Sequence, residues 1–304
     1  MSSRVGRGGK YSLANVDAFD WLKKRRAKSV QAIVTDPPYG LIEYTPDQLK
    51  KRKNGNGGIW RLPHNYDGHQ RSPTPRFTVL GEEDRKRIAE FHENLANLFL
   101  RVLVPGGHVF ISSQSILSYI VISCFSGAGF EVRGQVARIV KTLRGGDRPK
   151  GAHLEYPEIS VVPRSCWEPW IIFRKPCEGR VRDNLKKWKT GGLRRPDSNG
   201  PFQDLIVSRP ARGAERSLAP HPSLKPQAFM REIVRAALPL GEGIILDPFM
   251  GSGSTIAAAT FLGLKSIGLE KNRGYYLMAE KAIPKLSRLV LNSNGSGNHS
   301  EKRT

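Results

Sequence analysis

An acid, two prolines and an aromatic residue follow directly on a short apolar run: Ala32-Ile33-Val34-Thr35 leads into Asp36-Pro37-Pro38-Tyr39. The run reads as a buried strand, so the four residues sit at a strand end. Each type supplies something that a flat base with an exocyclic amine requires. The Asp36 carboxylate accepts hydrogen bonds from the amine and leaves its nitrogen lone pair available. Pro37 and Pro38 fix the backbone and bring no N–H to compete, so carbonyls can point inward. The Tyr39 ring offers a stacking face. A proline turn with Asp36 as a surface cap is the plainer reading of the same residues.

A second constellation lies in the C-terminal third, Ile244-Ile245-Leu246-Asp247-Pro248-Phe249-Met250-Gly251-Ser252-Gly253-Ser254-Thr255. A strand runs into a glycine-rich turn that opens a helix. Glycines let the backbone approach a ligand, and the helix N-terminus favours negative charge. Leu269-Glu270 closes the next strand, where an acid can accept both hydroxyls of a ribose. With one glycine turn and no Walker lysine, the pattern suits an adenosine-containing cofactor better than ATP.

The elements that must position these residues alternate along the chain. Strands are expected over 11–16, 30–35, 108–112, 130–141, 170–174, 243–246 and 266–269. Helices are expected over 18–26, 82–104, 115–125, 226–238, 254–262 and 273–291. In the second of these, Ile88, Phe91, Leu95, Leu98 and Val102 step by three and four and make one buried stripe. Pro105-Gly106-Gly107 closes that helix. The alternation predicts an α/β fold, a mostly parallel sheet of seven strands with helices on both faces. Residues 1–10 and 292–304 read as flexible tails. Two stretches break the pattern. The loop insertion 45–78 is rich in Gly, Pro, Asn, Arg and Lys. The segment 177–220 is basic, with Arg180, Arg182, Lys186, Lys187, Lys189, Arg194, Arg195, Arg209, Arg212 and Arg216. Its cations suit phosphates, and Asn184, Trp188 and Gln203 are candidate base contacts.

Charge points the same way. The 304-residue chain carries 49 Lys plus Arg against 27 Asp plus Glu, a formal charge of +22. A solvated basic surface is the plain reading, but this excess in an enzyme-sized chain favours a polyanion partner. No stretch reaches the ~18 apolar residues of a spanning helix. The basic, polar N-terminus lacks the apolar core of a secretory signal. Cys124, Cys166 and Cys177 form no CxxC pair, and no His cluster has zinc-ligand spacing, so neither a disulfide framework nor a metal site is expected. A cytoplasmic setting follows.

Taken together, Asp-Pro-Pro-Tyr followed much later by Phe-x-Gly-x-Gly resembles the amino-methyltransferases of DNA. The order of the motifs resembles their circularly permuted beta group. His221-Pro222-Ser223-Leu224-Lys225-Pro226 is similar to that group's His-Pro-x-x-Lys-Pro element. Val104-Pro105-Gly106-Gly107-His108-Val109-Phe110 and Glu168-Pro169-Trp170-Ile171-Ile172-Phe173-Arg174-Lys175 resemble two of its strands, and Asn15-Val16-Asp17 its adenine-contacting strand end. The resemblance implies a seven-stranded, Rossmann-like methyltransferase sheet and S-adenosylmethionine as cofactor. It divides the chain into a catalytic half (11–176), a target-recognition region (177–220) and a cofactor-binding half (221–291). It implies that Asp36, Pro37, Pro38 and Tyr39 are catalytic. Asp17, Lys225, Asp247, Phe249, Gly251, Gly253, Ser254, Thr255 and Glu270 then bind the cofactor, with Asp17 at the adenine and Lys225 and Ser254 or Thr255 at the methionine end. Arg180, Arg182, Lys186, Lys187, Lys189, Arg194 and Arg195 are expected on double-stranded DNA. A homodimer and a cognate restriction endonuclease are further partners of such enzymes, in a prokaryotic cell or encoded by a phage.

The reading favours transfer to adenine N6 of a flipped base; cytosine N4 uses the same chemistry, and Ser in place of Asp36 would favour it. A cytosine-C5 enzyme needs a nucleophilic Cys after Pro, but Pro176-Cys177 opens a basic loop. An RNA adenine methyltransferase of permuted type more typically carries Trp at position 39. A catalytically inactive DNA-binding protein need not keep both motifs.

Overall fold

A computed structural model describes residues 3–5, 10–38, 65–66, 69–70, 80–140, 154–161, 163, 166–196, 200–211, 213–221 and 223–290. The N-terminal half holds β1 (Ser3–Val5), β2 (Tyr11–Asn15), α1 (Ala18–Lys24), β3 (Val30–Thr35), β4 (Asn65–Tyr66), β5 (His69–Gln70), α2 (Glu82–Val102), β6 (Leu103–Ser112), α3 (Ser118–Gly127) and β7 (Glu131–Ile139). Then come β8 (Trp167–Arg174), α4 (Val181–Trp188), β9 (Leu205–Val207), α5 (Gly213–Leu218), α6 (Gln227–Ala237), β10 (Ile244–Asp247), α7 (Ser254–Phe261), β11 (Lys265–Glu270) and α8 (Arg273–Leu286).

The main sheet has nine strands in the order β1-β2-β11-β10-β3-β6-β8-β7-β9, while β4 and β5 pair with each other. From β2 to β6 neighbouring strands run parallel. β8 is antiparallel to β6 and β7, and β9 is parallel to β7. All seven expected strands are present, and the two extra ones are three-residue edges. β1 pairs with β2, so part of the expected N-terminal tail belongs to the sheet. β9 lies inside the basic segment. Only Ile206 of its three residues is buried, so tertiary pairing rather than a periodic pattern makes it a strand.

β3 shows how the sheet fills both faces. Ala32 and Val34 face α6 and α7, packing with Phe229, Met230, Ile233, Val234 and Ala258. Val30 and Ile33 face α1, α2 and α3, packing with Leu22, Leu95, Phe99, Val121 and Phe125. The stripe of α2 is turned slightly from the expected one: His92, Ala96 and Phe99 are buried, while Phe91 and Leu98 are half-buried. Among the described residues no helix is long and apolar enough to cross a membrane.

β6 starts earlier than expected. It runs from Leu103 through Pro105-Gly106-Gly107, with its register against β3 broken between Val30 and Ala32. Gly106 has φ +74°, and a Cβ there would meet the Asn184 amide and, at 3.0 Å, the Gly191 backbone. Gly106 therefore serves a close approach from the basic segment instead of ending a helix.

Candidate active site

Parallel neighbours end together, and that juxtaposes the two motifs. β10 and β3 pair in parallel with Leu246 opposite Ile33, so Asp247 and Asp36 both leave the carboxyl end of the sheet. The Thr35 hydroxyl donates to Asp247 Oδ1 at 2.8 Å, tying the Asp-Pro-Pro turn to the glycine turn. β11 brings Glu270 and β2 brings Asn15 to the same end, where they pair. β8, running the other way, begins there with Trp167 and Glu168. The crevice outside the carboxyl ends of parallel strands is where open α/β sheets bind ligands.

The Asp36 carboxylate is partly exposed. Its Oδ2 lies 2.7 Å from Lys225 Nζ, and that ammonium lies 3.4 Å from Glu168 Oε1. The acids beside Lys225 outweigh its burial and hold its pKa above the usual lysine value. Glu168 Oε1 also accepts from Trp170 Nε1 at 2.7 Å and Ser112 Oγ at 3.3 Å, and Glu168 Oε2 from Arg138 at 3.0 Å. Pro37 is buried and Pro38 exposed. Tyr39 lies outside the described residues, as does most of the insertion 45–78 apart from the β4–β5 hairpin.

On the other side of the crevice the glycine turn is held by acids. Glu270 Oε2 accepts from the Gly251 N–H at 3.0 Å and Oε1 from the Asn272 N–H at 2.7 Å. Burial raises the Glu270 pKa, against those backbone hydrogen bonds. Gly251 has φ +52°, and a Cβ there would come within 3.1 Å of the His221 ring. Gly253 has φ +88°, and its Cβ would lie 2.5 Å from Ile283. Phe249 is half-buried, 6.2 Å from Phe91 between ring centroids. Asp17 caps α1, accepting from the Phe19 N–H at 2.9 Å, and pairs with Lys271 at 3.1 Å. Partial burial raises the Asp17 pKa, but these hydrogen bonds outweigh it and leave it lowered.

Several residues expected at the cofactor also make contacts within the frame. Asp247 is 3% exposed and takes Thr35, the Phe249 N–H and Thr255 as partners. Burial pushes its pKa up to about 7, opposed by those hydrogen bonds and helped by the charge of Asp36. Ser254 and Thr255 are buried in the first turn of α7. Lys225 sits between two carboxylates. His221, quoted above only as part of a motif, stands edge-on to Tyr275 with ring centroids 4.3 Å apart. Burial lowers its pKa to about 4, against Asp36 and together with Lys225 and Arg216. Glu168, quoted above only within a strand, joins this cluster through Lys225; an isolated acid in a mostly apolar strand was the signal for it.

The basic segment divides between the two ends of the sheet. β8 carries the chain away from Asp36, and α4 docks where β6 begins. Asn184 is buried there, donating to Pro105 O at 3.0 Å and Thr190 O at 2.8 Å and accepting from the Glu178 N–H at 3.0 Å. Lys187 and Lys28 both pair with Glu178, and Lys189 lies 4.0 Å from Glu242. The Trp188 indole donates to Glu178 as well. The Arg194 N–H bonds Ala236 O, and Arg195 O accepts from Arg235. These anchors lie before β3 and β10, after β8 and at the start of β6, at the amino end of the sheet. Arg180, Arg182, Lys186, Lys187, Lys189, Arg194 and Arg195, expected on DNA, all lie on or beside this docked helix. Asn184 is withdrawn as a base contact, because its amide is consumed by backbone partners. β9 returns the chain to the carboxyl end, where Arg209 is exposed and Arg216 donates to His221 O at 2.9 Å. Arg212 lies outside the described residues. Burial pushes the Cys177 thiol up, the opposite of what an activated nucleophile needs.

Comparison with known proteins agrees with this geometry. A family model described as DNA methylase (N6_N4_Mtase) matches residues 30–281. The Type II methyltransferase M.HindIII of Haemophilus influenzae is 27% identical over 314 residues, covering 95% of this chain and 98% of that protein. The M1.HpyAVI–SAM complex superposes with a TM-score of 0.56 at 19% identity, covering 90% of this chain and 98% of the other. The PvuII DNA methyltransferase, named as cytosine-N4-specific, gives 0.57 at 13% identity, covering 91% of each. At such identities the structural likeness is one of fold.

Proposed function

The chain belongs to the DNA methylase family, and we propose that it transfers a methyl group from S-adenosylmethionine to the exocyclic amine of a base extruded from duplex DNA, adenine N6 in the favoured reading. One observation carries this: Asp36 and the glycine turn leave adjacent parallel strands, tied by the Thr35–Asp247 hydrogen bond of 2.8 Å. The strand order, with β10 and β11 between β2 and β3, supports a circular permutation of the methyltransferase sheet.

The crevice fits the cofactor chemically. Glu270 and Asp17 present acceptor oxygens at the ends of adjacent strands, suited to ribose hydroxyls and to the adenine amine. Gly251 and Gly253 take left-handed backbone that side chains disfavour, so the turn lies tight against His221 and Ile283 beside these acids. When bound, S-adenosylmethionine supplies an electrophilic methyl group. The chain's own part is positioning and electrostatics. Asp36 and the Pro37 carbonyl accept the amine hydrogens and aim the nitrogen lone pair at the crevice. The same carboxylate stabilises the positive charge that the amine gains. Tyr39 stacks on the extruded base. The SAM complex of M1.HpyAVI and the Type II assignment of M.HindIII support the reading. The fold shared with a cytosine-N4-specific enzyme keeps cytosine N4 as the alternative.

The test is to incubate the protein with unmodified duplex DNA and labelled S-adenosylmethionine, then digest the DNA to nucleosides. Labelled N6-methyladenine is expected. Label in N4-methylcytosine moves the specificity, and label in neither overturns the reading.

A further inference from the structure

We propose that Glu168 is a positioning residue for methyl transfer, acting on Asp36 through Lys225. The proposal rests on the function above and adds residues to its machinery. An aspartate just past a strand end can turn about its side-chain bonds, and in-line attack tolerates little misalignment of the amine. Lys225 Nζ holds Asp36 Oδ2 at 2.7 Å, which leaves Oδ1 to face the incoming amine. A lysine stem is flexible and makes a poor clamp by itself. Here the ammonium is also held by Glu168 Oε1 at 3.4 Å, and Glu168 is in turn fixed to rigid parts of the sheet. The Trp170 indole is fully buried on β8, Ser112 ends β6, and Arg138 is 4% exposed on β7.

The arrangement is costly as mere architecture. Four charged groups, Asp36, Lys225, Glu168 and Arg138, are drawn largely out of water, and apolar residues of similar volume would often do as well or better for stability. What the network supplies that apolar packing cannot is one fixed orientation of the Asp36 carboxylate. Arg138 balances the second acid, so Lys225 is not drawn away from Asp36 by an uncompensated Glu168.

The experiment measures single-turnover methyl transfer with saturating cofactor and duplex DNA, beside cofactor affinity and the thermal midpoint. Glu168→Gln keeps the size and the acceptor oxygen but removes the charge that holds Lys225. The expected result is a methyl-transfer rate lower by about ten- to hundredfold, the range for one charge-assisted hydrogen bond. Cofactor affinity should stay within twofold, roughly the scatter of such titrations, so the loss is not general loosening. Lys225→Met should lose at least as much. The double variant should be no slower than Lys225→Met alone, since both changes cut one chain. A wild-type rate in Glu168→Gln, or losses that multiply in the double variant, overturns the proposal. A loss of cofactor affinity in Lys225→Met also overturns it, because the lysine then serves the methionine end. Should Glu168→Gln fail to fold, Lys225→Arg and Lys225→Met carry the test. The arginine should retain more rate, and equal rates overturn the idea. Absence of methylation by the wild-type protein would instead bring down the function on which the proposal rests.

Discussion

At the carboxyl end of the sheet, acids arrive from β2, β3, β8, β10 and β11 and crowd around a glycine turn; at the amino end, the cations of 180–195 lie on one short helix and its flanks. The first region is assembled from residues far apart in sequence, and contacts such as Lys225–Asp36 and Thr35–Asp247 tie its strands together. The second is compact in sequence, and Arg180, Lys187 and Lys189 answer nearby acids, Asp183, Glu178 and Glu242. Hydrogen bonds from Lys187, Trp188 and Lys28 pull the Glu178 carboxyl down to about 2. The proposed chemistry draws on the first region, and the second is held by its own local pairs.

The largest effect that can break this comparison is at Asp36. Asp36→Ala should lower single-turnover methylation by about a thousandfold or more, the scale of losing a group that stabilises developing charge. Titration calorimetry should show cofactor affinity near that of the wild type, and near-normal turnover would remove Asp36 from the chemistry. At the other end the effect should be on stability. Asn184→Ala leaves Pro105 O, Thr190 O and the Glu178 N–H short of a partner, and urea unfolding should show a loss of about 2–3 kcal/mol. Methylation per folded molecule should not change.

A third test sharpens the difference in acidity. The folded-state pKa of Asp247 is about 7 against an ordinary 3.8. Between these values the folded protein holds a proton that the unfolded chain has released. Its contribution to stability is therefore full below about pH 4 and is lost as pH rises through about 7. In Asp247→Asn the fall in urea midpoint between pH 5 and 8 should be shallower than in the wild type; an unchanged slope would count against the burial argument. The smallest effects separate the cations. Arg209→Ala should weaken DNA binding and reduce the log–log salt slope by about 0.9, one phosphate contact. Lys186→Ala, on the far end, should change neither. Equal effects would mean that DNA reaches around the sheet.

The seven main strands and both motifs were legible because each depends on local pattern: apolar runs, turn glycines and an acid at a strand end. β9 was not, since Leu205-Ile206-Val207 owes its conformation to hydrogen bonds with β7, which no window on the sequence contains. The partners of Lys225 were hidden for a similar reason. Its place in a His-Pro element suggested the methionine end of the cofactor, whereas Asp36, 189 residues earlier, and Glu168 reach it from separate strands. Asn184 reads as a candidate base contact until the left-handed turn at Gly106 is seen to leave room for its amide.

The edge strand β9 has a consequence for how such an enzyme could change its taste in DNA. Specificity would be easiest to exchange if it rode on a cassette joined to the scaffold by two loops. Here the stretch 177–220 contributes a rung of the scaffold itself, and removing it bares the edge of β7, a template for pairing with other chains. Evolution or an engineer would do better to graft within 208–220, or into the insertion 45–78, than to trade the segment whole. Chimaeras cut at 177 and 220 should go to inclusion bodies, while grafts that spare β9 and α4 should stay in the supernatant.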